Sequence, residues 1–310
     1  MRSWTYRCLW MIVLLLGSPA LAPAQATAET TILIDATKIG SHAVPRTIFG
    51  TFLEPIGNST YNGLWAEILQ NPSFENNLWD VKHIADMVRD DPELNRASEM
   101  SLPLPWEPLR YSQGSRYAPQ WNDAANSQRS LLLMALPDQQ TGIRQKVYLP
   151  VRRVSHYVGS VYLRHVGGPA IVEVSLRERN HPDHIFNSRE IKPAPRGGNV
   201  TNSRSMFLPI NCNLLSLRIS SSPPVAKLAL LVDQASLLPG DNVDGMDPEM
   251  IAMSRDLKTP IVRFGGNFTS AYHWRDGVGP RDQRVSMLNA AWGIPEYNQF
   301  GRMSSCAFAN

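Results

Sequence analysis

Two polar side chains in this sequence follow apolar stretches that are typical of buried β-strands. Glu54 comes directly after the apolar residues 49–53, and Asn267 comes after residues 259–264 and a Gly-Gly pair at 265–266. Barrel enzymes place functional groups at the carboxyl ends of buried strands, and a Gly-Gly turn lets the backbone approach a ligand closely. An asparagine amide at such a turn can donate and accept hydrogen bonds to hydroxyl groups. Spacing alone also allows a solvated loop glutamate and a purely structural turn at these positions.

Residues 274–282 (WRDGVGPRD) form a second candidate region, rich in aromatic, charged and turn-forming residues. Trp274 or His273 could stack on the face of a sugar ring. The same residues could equally form a loop that braces itself through Arg–Asp pairs. Residues 181–184 (HPDH) suggest a metal site at first sight, but Pro182 and the turn-like context predict a surface loop.

Glu67 and Glu75 are possible partners in a hydrolase that uses two carboxylates. Residues 64–69 have the pattern of a short helix, which predicts that Glu67 lies on an ordinary helix face. The sequence contains no Ser-His-Asp nucleophile elbow, no Cys/His zinc set and no Walker loop. Spacing alone therefore identifies no specific catalytic pair.

The composition is that of a globular protein. Hydrophobic residues make up 43% and charged residues 18% of the 310 positions, which is enough to bury a sizeable core. The surplus of 30 Lys and Arg over 27 Asp and Glu gives a net charge of +3, too small for a nucleic-acid-binding surface. Cys8, Cys212 and Cys306 lack the spacing of a metal site, and a disulfide framework is not expected.

The N-terminus has the features of a secretory signal peptide. Arg2 and Arg7 precede an apolar run at residues 8–17, and small residues with Ala-x-Ala spacing follow it. Such a run is too short to span a membrane. We therefore expect residues 1–26 to be removed and the mature protein to be secreted or periplasmic, without a membrane anchor.

The remaining chain changes its pattern twice. Residues 31–35 and 48–56 read as strands and residues 64–69 as a helix, whereas residues 80–105 show no lasting periodicity. Short apolar segments between turn signals then predict an all-β sandwich or jelly roll, at 130–134, 142–149, 157–165, 171–176, 206–210, 214–219 and 227–232. A helix is predicted at residues 248–257, with Asp247 as its N-cap and Pro248 at its first position, before a strand at 259–264. Residues 302–310 show no periodic pattern.

Together these motifs resemble the α-L-arabinofuranosidases of glycoside hydrolase family 51. The segments that carry the resemblance are 48–57 (IFGTFLEPIG), 61–67 (YNGLWAE), 71–75 (NPSFE), 262–268 (VRFGGNF), 272–284 (YHWRDGVGPRDQR) and 292–301 (WGIPEYNQFG). The resemblance implies α/β plus all-β architecture. Its parts would be the incomplete N-terminal portion of a (β/α)8 barrel at 27–80 and 241–301, a jelly-roll-like, carbohydrate-binding-type sandwich inserted at 81–240, and an aberrant tail at 302–310.

The function implied by this resemblance is that of a retaining exo-hydrolase. It would release terminal L-arabinofuranose from arabinan or arabinoxylan, a plant cell-wall polysaccharide or oligosaccharide, without a cofactor. The matched positions place Glu54 and Asn267 in contact with arabinose in the −1 subsite, with Trp274 helping to shape the pocket. Phe264 departs from the family, which usually has proline before the Gly-Gly pair. Both catalytic glutamates of the family are expected beyond the end of this chain, so no catalytic residue is assigned and the chain alone is expected to be inactive.

Two alternatives remain at the level of the sequence. The sandwich could be an independent carbohydrate-binding module that holds polysaccharide through exposed aromatic residues, with Tyr111, Tyr117, Trp121 and Tyr162 as candidates. The chain could also be a non-functional fragment.

Overall fold

The computed structural model describes residues 31–109, 116–136, 141–167, 171–193, 206–207, 214–220, 228–266, 271–301 and 304. The chain divides into two compact units, Met1–Pro45 and Arg46–Asn310. The described residues 31–45 of the first unit are all exposed and form no helix or strand. The predicted strand at 31–35 is therefore wrong, because no strand of the described residues pairs with this apolar run. The predicted signal peptide lies outside the described residues.

Short strands dominate the second unit. Their bounds are β1 (Thr51–Leu53), β2 (Glu107–Pro108), β3 (Arg116–Trp121), β4 (Arg129–Ala135), β5 (Thr141–Lys146), β6 (His156–Gly167), β7 (Ile171–Arg177), β8 (Ile185–Ile191), β9 (Met206–Phe207), β10 (Leu214–Ser220), β11 (Leu228–Pro239), β12 (Val262–Phe264), β13 (Met287–Asn289) and β14 (Ile294–Glu296). The α-helices are α1 (Val81–Arg89), α2 (Pro92–Glu99) and α3 (Pro248–Asp256). Short 3-10 helices lie at Arg46–Phe49, Trp274–Gly277 and Arg281–Gln283. None of these described helices has the length and apolar character needed to cross a membrane.

A β-sandwich fills the middle of the chain. One five-stranded sheet has the order β2-β5-β10-β7-β8 and the other the order β3-β4-β11-β6-β9, with antiparallel neighbours throughout. Ile143 and Leu176 of the first sheet share one hydrophobic core with Leu133 and Leu230 of the second. Alternating side chains point into this core, as expected for sheets packed face to face. The predicted all-β character of the segment is confirmed, and β2, β3 and β8 add to the predicted strands. The jelly-roll and barrel details stay predictions, and residues 208–213 lie outside the description.

One strand that precedes the sandwich in sequence, β1, and one that follows it, β12, form a two-stranded parallel sheet. In its register Thr51 pairs with Val262 and Leu53 with Phe264. The helix α3 leads into β12, and its predicted N-cap is confirmed because the Asp247 carboxylate accepts from the amides of Glu249 and Met250. β1 is shorter than predicted, since residues 46–49 form a 3-10 helix.

Two local predictions fail around the sandwich. Residues 80–105 contain α1 and α2, each capped by an aspartate, Asp80 and Asp91 respectively. Residues 64–69 form no helix, because their backbone groups bond to distant partners. Ala66 N donates to the carbonyl of Gly245 at 2.9 Å, and Ile68 N donates to the carbonyl of Leu237 at 3.0 Å.

Candidate active site

The carboxyl ends of β1 and β12 meet at one edge of the parallel pair, and Glu54 lies there. The amide of Gly265 donates to the carbonyl of Leu53 at 3.1 Å, which extends the strand pairing into the Gly-Gly turn. A Cβ atom on Gly266 would lie 1.8 Å from Oε1 of Glu54, and Gly266 has a φ of +141°. Only glycine permits both this backbone conformation and this close approach. The half-buried Glu54 carboxylate therefore packs against the Gly-Gly turn.

Of the other two residues predicted to line the arabinose subsite, Asn267 and Trp274, the structure describes only Trp274. Asn267 lies outside the described residues, although the turn that leads to it is described up to Gly266. Trp274 begins a 3-10 helix and is half exposed, and the guanidinium of Arg275 lies 5.5 Å from its ring centroid. The structure thus brings the Glu54 carboxylate to the turn before position 267 and leaves a face of Trp274 open to solvent.

A buried carboxyl group, which sequence reasoning missed, lies close to this edge. Glu296 is 4% exposed, and its Oε1 accepts from the Tyr61 hydroxyl at 2.5 Å and from the amide of Asn298 at 3.3 Å. Burial raises the pKa of Glu296 to about 7 in spite of these hydrogen bonds. Burial and the charge of Glu296 also raise the pKa of Tyr272 to about 12. The Tyr272 ring makes an edge contact with Phe264 at the end of β12, which connects this group to the strand pair.

One sequence signal could have revealed Glu296. It stands with Asn298 and Gln299 among the apolar residues Tyr297 and Phe300, all of which are buried. Polar residues interspersed in this way are expected to be buried only when they have hydrogen-bond partners. The Tyr61 hydroxyl, distant in sequence, supplies that partner.

Glu67 and Glu75 both accept hydrogen bonds from backbone amides. The helix-face interpretation of Glu67 is wrong, because its carboxylate is buried and accepts from the amides of Leu69 and Leu237 at 3.1 and 2.7 Å. Glu75 is also buried, and its Oε1 accepts from the amides of Gln128 and Arg129. Each carboxylate therefore joins a connecting segment to the sandwich.

A pocket of about 550 Å³ lies beside the loop that follows Glu54. Side chains from that loop, from the end of β5 and from the β5–β6 connection line it, among them Asn58, Asn62, Lys146 and Tyr148. This pocket therefore has both polar and aromatic walls.

The acidic, histidine and cysteine side chains do not converge on one point in the described part of the chain. No group of three or more His, Cys, Asp or Glu side chains in the described part of the chain is arranged to hold a metal ion. Within the 181–184 loop, His184 is exposed and its Nδ1 lies 3.1 Å from a carboxylate oxygen of Glu178.

Comparison with known proteins finds α-L-arabinofuranosidases among the relatives of this chain. The chain is 47% identical over 64 residues to α-L-arabinofuranosidase C of Emericella nidulans, a match that covers 20% of this chain and 13% of that protein. It is 24% identical over 283 residues to α-L-arabinofuranosidase 1 of Arabidopsis thaliana, covering 84% of this chain and 38% of the relative. No family model matches the chain. The chain thus spans well under two thirds of the length of these curated relatives.

A solved structure shows the same fold. An arabinose-bound GH51 α-L-arabinofuranosidase superposes with a TM-score of 0.62 and 19% identity, over 87% of this chain and 43% of that one. At this identity the likeness is one of fold alone. Sequence and fold together confirm the predicted resemblance: over most of its length this chain is similar to the α-L-arabinofuranosidases of glycoside hydrolase family 51.

Proposed function

We propose that this protein acts in the release of terminal L-arabinofuranose from arabinan or arabinoxylan, as part of a retaining, exo-acting α-L-arabinofuranosidase. Glu54 and Asn267 hydrogen-bond the arabinose hydroxyls, and Trp274 shapes the same pocket. The observation that carries this proposal is the close contact between the Glu54 carboxylate and Gly266 at the ends of two parallel strands. The similarity to arabinofuranosidases supplies the substrate class. We also propose export through the signal peptide, which the mass of the exported protein tests.

The chemistry of Glu54 suits binding more than bond cleavage. A carboxylate accepts hydrogen bonds from neighbouring hydroxyl groups of a furanose ring and so fixes its orientation. Retaining hydrolysis requires two carboxyl groups about 5–5.5 Å apart, one as nucleophile and one as acid/base. Glu67, Glu75 and Glu296 are buried and accept hydrogen bonds from the protein itself. We assign neither catalytic role to this chain, and propose that the 310 residues alone bind arabinose without cleaving arabinosides.

Two measurements on the full chain test this proposal. Calorimetry with L-arabinose should detect binding that Glu54→Gln weakens by about tenfold or more, because a hydrogen bond to a charged group is lost. Glu190→Gln, which changes an exposed carboxylate on β8, serves as the matched control and should leave the affinity unchanged. A chromogenic α-L-arabinofuranoside should release no chromophore.

The outcomes separate the two parts of the proposal. Equal affinity in Glu54→Gln and the wild type would remove Glu54 from the binding site. Release of the chromophore would instead show that the chain contains a competent nucleophile and acid/base, contrary to the assignment above.

A further inference from the structure

A second pocket lies where the sandwich meets the segments on either side of it. Its volume is about 290 Å³. Trp121, Ser127 and Gln128 form the wall contributed by the end of β3 and the turn that follows. Residues 75–78, which precede the sandwich, form the second wall, and the loop from Asp276 to β13 forms the third. No other role described above uses this pocket.

Trp121 offers an open aromatic face in this pocket. Its side chain is 51% exposed, and the Arg129 guanidinium lies 5.6 Å from its ring centroid. Arg129 is itself buried, and its Nε and Nη2 donate to the carbonyl of Phe74 at 3.1 and 2.8 Å. The guanidinium is therefore held in place, and its contact with the indole limits the orientations that Trp121 can adopt.

Among the other aromatic residues predicted to bind sugar, Tyr117 and Tyr162, the two in the described part of the chain, are more buried. Tyr117 is buried and its hydroxyl donates to the carbonyl of Gly142 at 2.8 Å. The hydroxyl of the partly buried Tyr162 donates to the Asp282 carboxylate. Tyr111 lies outside the described residues.

The polar lining favours a neutral ligand that carries hydroxyl groups. Glu75 uses Oε1 to accept from backbone amides, and its Oε2 lies 3.8 Å from Nε of Arg129, beyond hydrogen-bond distance. Asp276 brings a second carboxylate, and the lining also includes the amide side chains of Asn76, Asn77 and Gln128. Carboxylates and amides accept hydrogen bonds from sugar hydroxyls, and the amides also donate to them. Since the Arg129 guanidinium forms an ion pair with Glu75 at 3.8 Å, the Asp276 carboxylate carries the remaining negative charge that would repel an acidic sugar.

Hydrogen bonds across the junction hold the walls of the pocket together. Ser127 Oγ accepts from the amide of Ser286 at 2.8 Å. The Asn126 side chain donates to the carbonyls of Asp282 and Arg284 at 2.8 and 2.9 Å. A pre-formed pocket loses little entropy when it binds a ligand. The sandwich alone would lack two of the three walls.

We propose that this junction pocket binds a sugar unit of a neutral polysaccharide. The sugar ring stacks on Trp121, and its hydroxyls bond to Glu75, Gln128 and Asp276. This inference rests on the proposed function only for the class of ligand, because it requires no hydrolysis and no contact with Glu54.

Native gel electrophoresis of the full chain in gels that contain soluble arabinoxylan, linear arabinan or polygalacturonate tests the pocket. Arabinoxylan or arabinan should retard the wild type, whichever supplies the sugar unit, and polygalacturonate should not. Trp121→Ala should weaken the retardation by about tenfold or more, since the stacking surface is lost. Gln128→Ala should also weaken the retardation, because it removes the amide side chain from the pocket. The backbone amide of residue 128, which donates to Glu75, is retained in this variant. Near-UV circular dichroism checks that both variants are folded.

Two controls distinguish this pocket from other sites. Tyr148→Ala removes an aromatic residue that is 81% exposed but lines the larger pocket, and should leave the retardation unchanged. Glu54→Gln can weaken retardation through its own contact with terminal arabinose, so the loss caused by Trp121→Ala is also measured in the Glu54→Gln background, where it should persist. Absence of retardation in the wild type, full retardation of folded Trp121→Ala, or loss caused by Tyr148→Ala would each overturn the proposal. Retardation by polygalacturonate would overturn its neutral-ligand part.

Discussion

Replacing Glu67 by glutamine should make the protein more stable at pH 8 and change little at pH 4.5. Glu67 Oε1 accepts from the amides of Leu69 and Leu237, and Oε2 lies 2.5 Å from the Ser236 hydroxyl oxygen. Burial raises the pKa of Glu67 from 4.5 to about 7 in spite of these bonds. The protonated carboxyl can donate from Oε2 to Ser236, and the glutamine amide can do the same while its oxygen replaces Oε1. Glu67→Gln therefore mimics the protonated state.

The size of the effect follows from the two pKa values of Glu67. Each pKa unit is worth about 1.4 kcal/mol, so a rise from 4.5 to about 7 corresponds to about 3 kcal/mol. Between these values the folded state binds more protons than the unfolded state, and the free energy of unfolding falls as the pH rises. The stabilisation is fully present below pH 4.5 and is lost as the pH rises through about 7. At pH 8 the free energy of unfolding of Glu67→Gln should therefore be about 3 kcal/mol higher than that of the wild type.

Urea unfolding of both proteins at a series of pH values measures this difference. Glu190→Gln replaces an exposed carboxylate and should follow the wild-type curve. The burial argument would be refuted if Glu67→Gln lowered the free energy of unfolding equally at pH 4.5 and pH 8. That result would mean that the ionised carboxylate, with its three hydrogen bonds, is the preferred folded form.

Two further predictions concern the strand ends and the domain boundary. Gly266→Ala should destabilise the protein by about 1–3 kcal/mol in thermal or urea unfolding and weaken arabinose binding, because its Cβ would displace Glu54 and its φ of +141° strains alanine. Gly40→Ala, with no atom within 4 Å of the added Cβ, is the control, and equal effects of the two changes would contradict the prediction. Limited proteolysis followed by mass spectrometry should yield a resistant core that begins before Leu69. A stable fragment starting near Trp106 would show that the sandwich folds without the preceding segment.

Local sequence patterns predicted most strands of the sandwich and the helix α3, but not β2, β3 and β8. A continuous apolar run marks β4, alternating apolar residues mark β7, and the Asp247-Pro248 pair marks the start of α3. The apolar pattern predicted the end of β11 incorrectly, because the strand continues to Pro239 instead of ending at Val232. Asp233 interrupts the apolar run there, yet it is buried and accepts from three backbone amides, of Ala125, Asn126 and Gln234. Burial raises the pKa of this carboxyl to about 7, and composition alone gives no sign of it.

Long-range pairing explains why Glu67 was predicted incorrectly. Residues 64–69 have a helical pattern, but amides of that segment bond to Gly245 and Leu237, which are distant in sequence. For Glu54, the strand-end pattern left a loop position open, and only the family resemblance implied a shared subsite with Asn267; the parallel register of β1 and β12 brings Glu54 to the Gly-Gly pair. Sequence reasoning could identify which strands end in polar residues, but the partners of a buried carboxylate depend on the tertiary fold.

The sandwich and the segments around it satisfy polar groups that neither could satisfy alone. Glu67 accepts from β11, Asn126 donates to carbonyls of the 282–284 loop, and the Arg153 guanidinium contacts Asp241 and Asp247 at 2.9 and 2.7 Å. Separating the parts would exchange these hydrogen bonds for bonds to water, at a net cost of about 0.5–1.5 kcal/mol each. The hydrophobic core is shared as well, since Phe74 stacks on Trp106 with ring centroids 4.8 Å apart. An independent carbohydrate-binding module would have to expose these groups. Sugar binding at Trp121 is therefore expected of the whole unit Arg46–Asn310, which also carries Glu54.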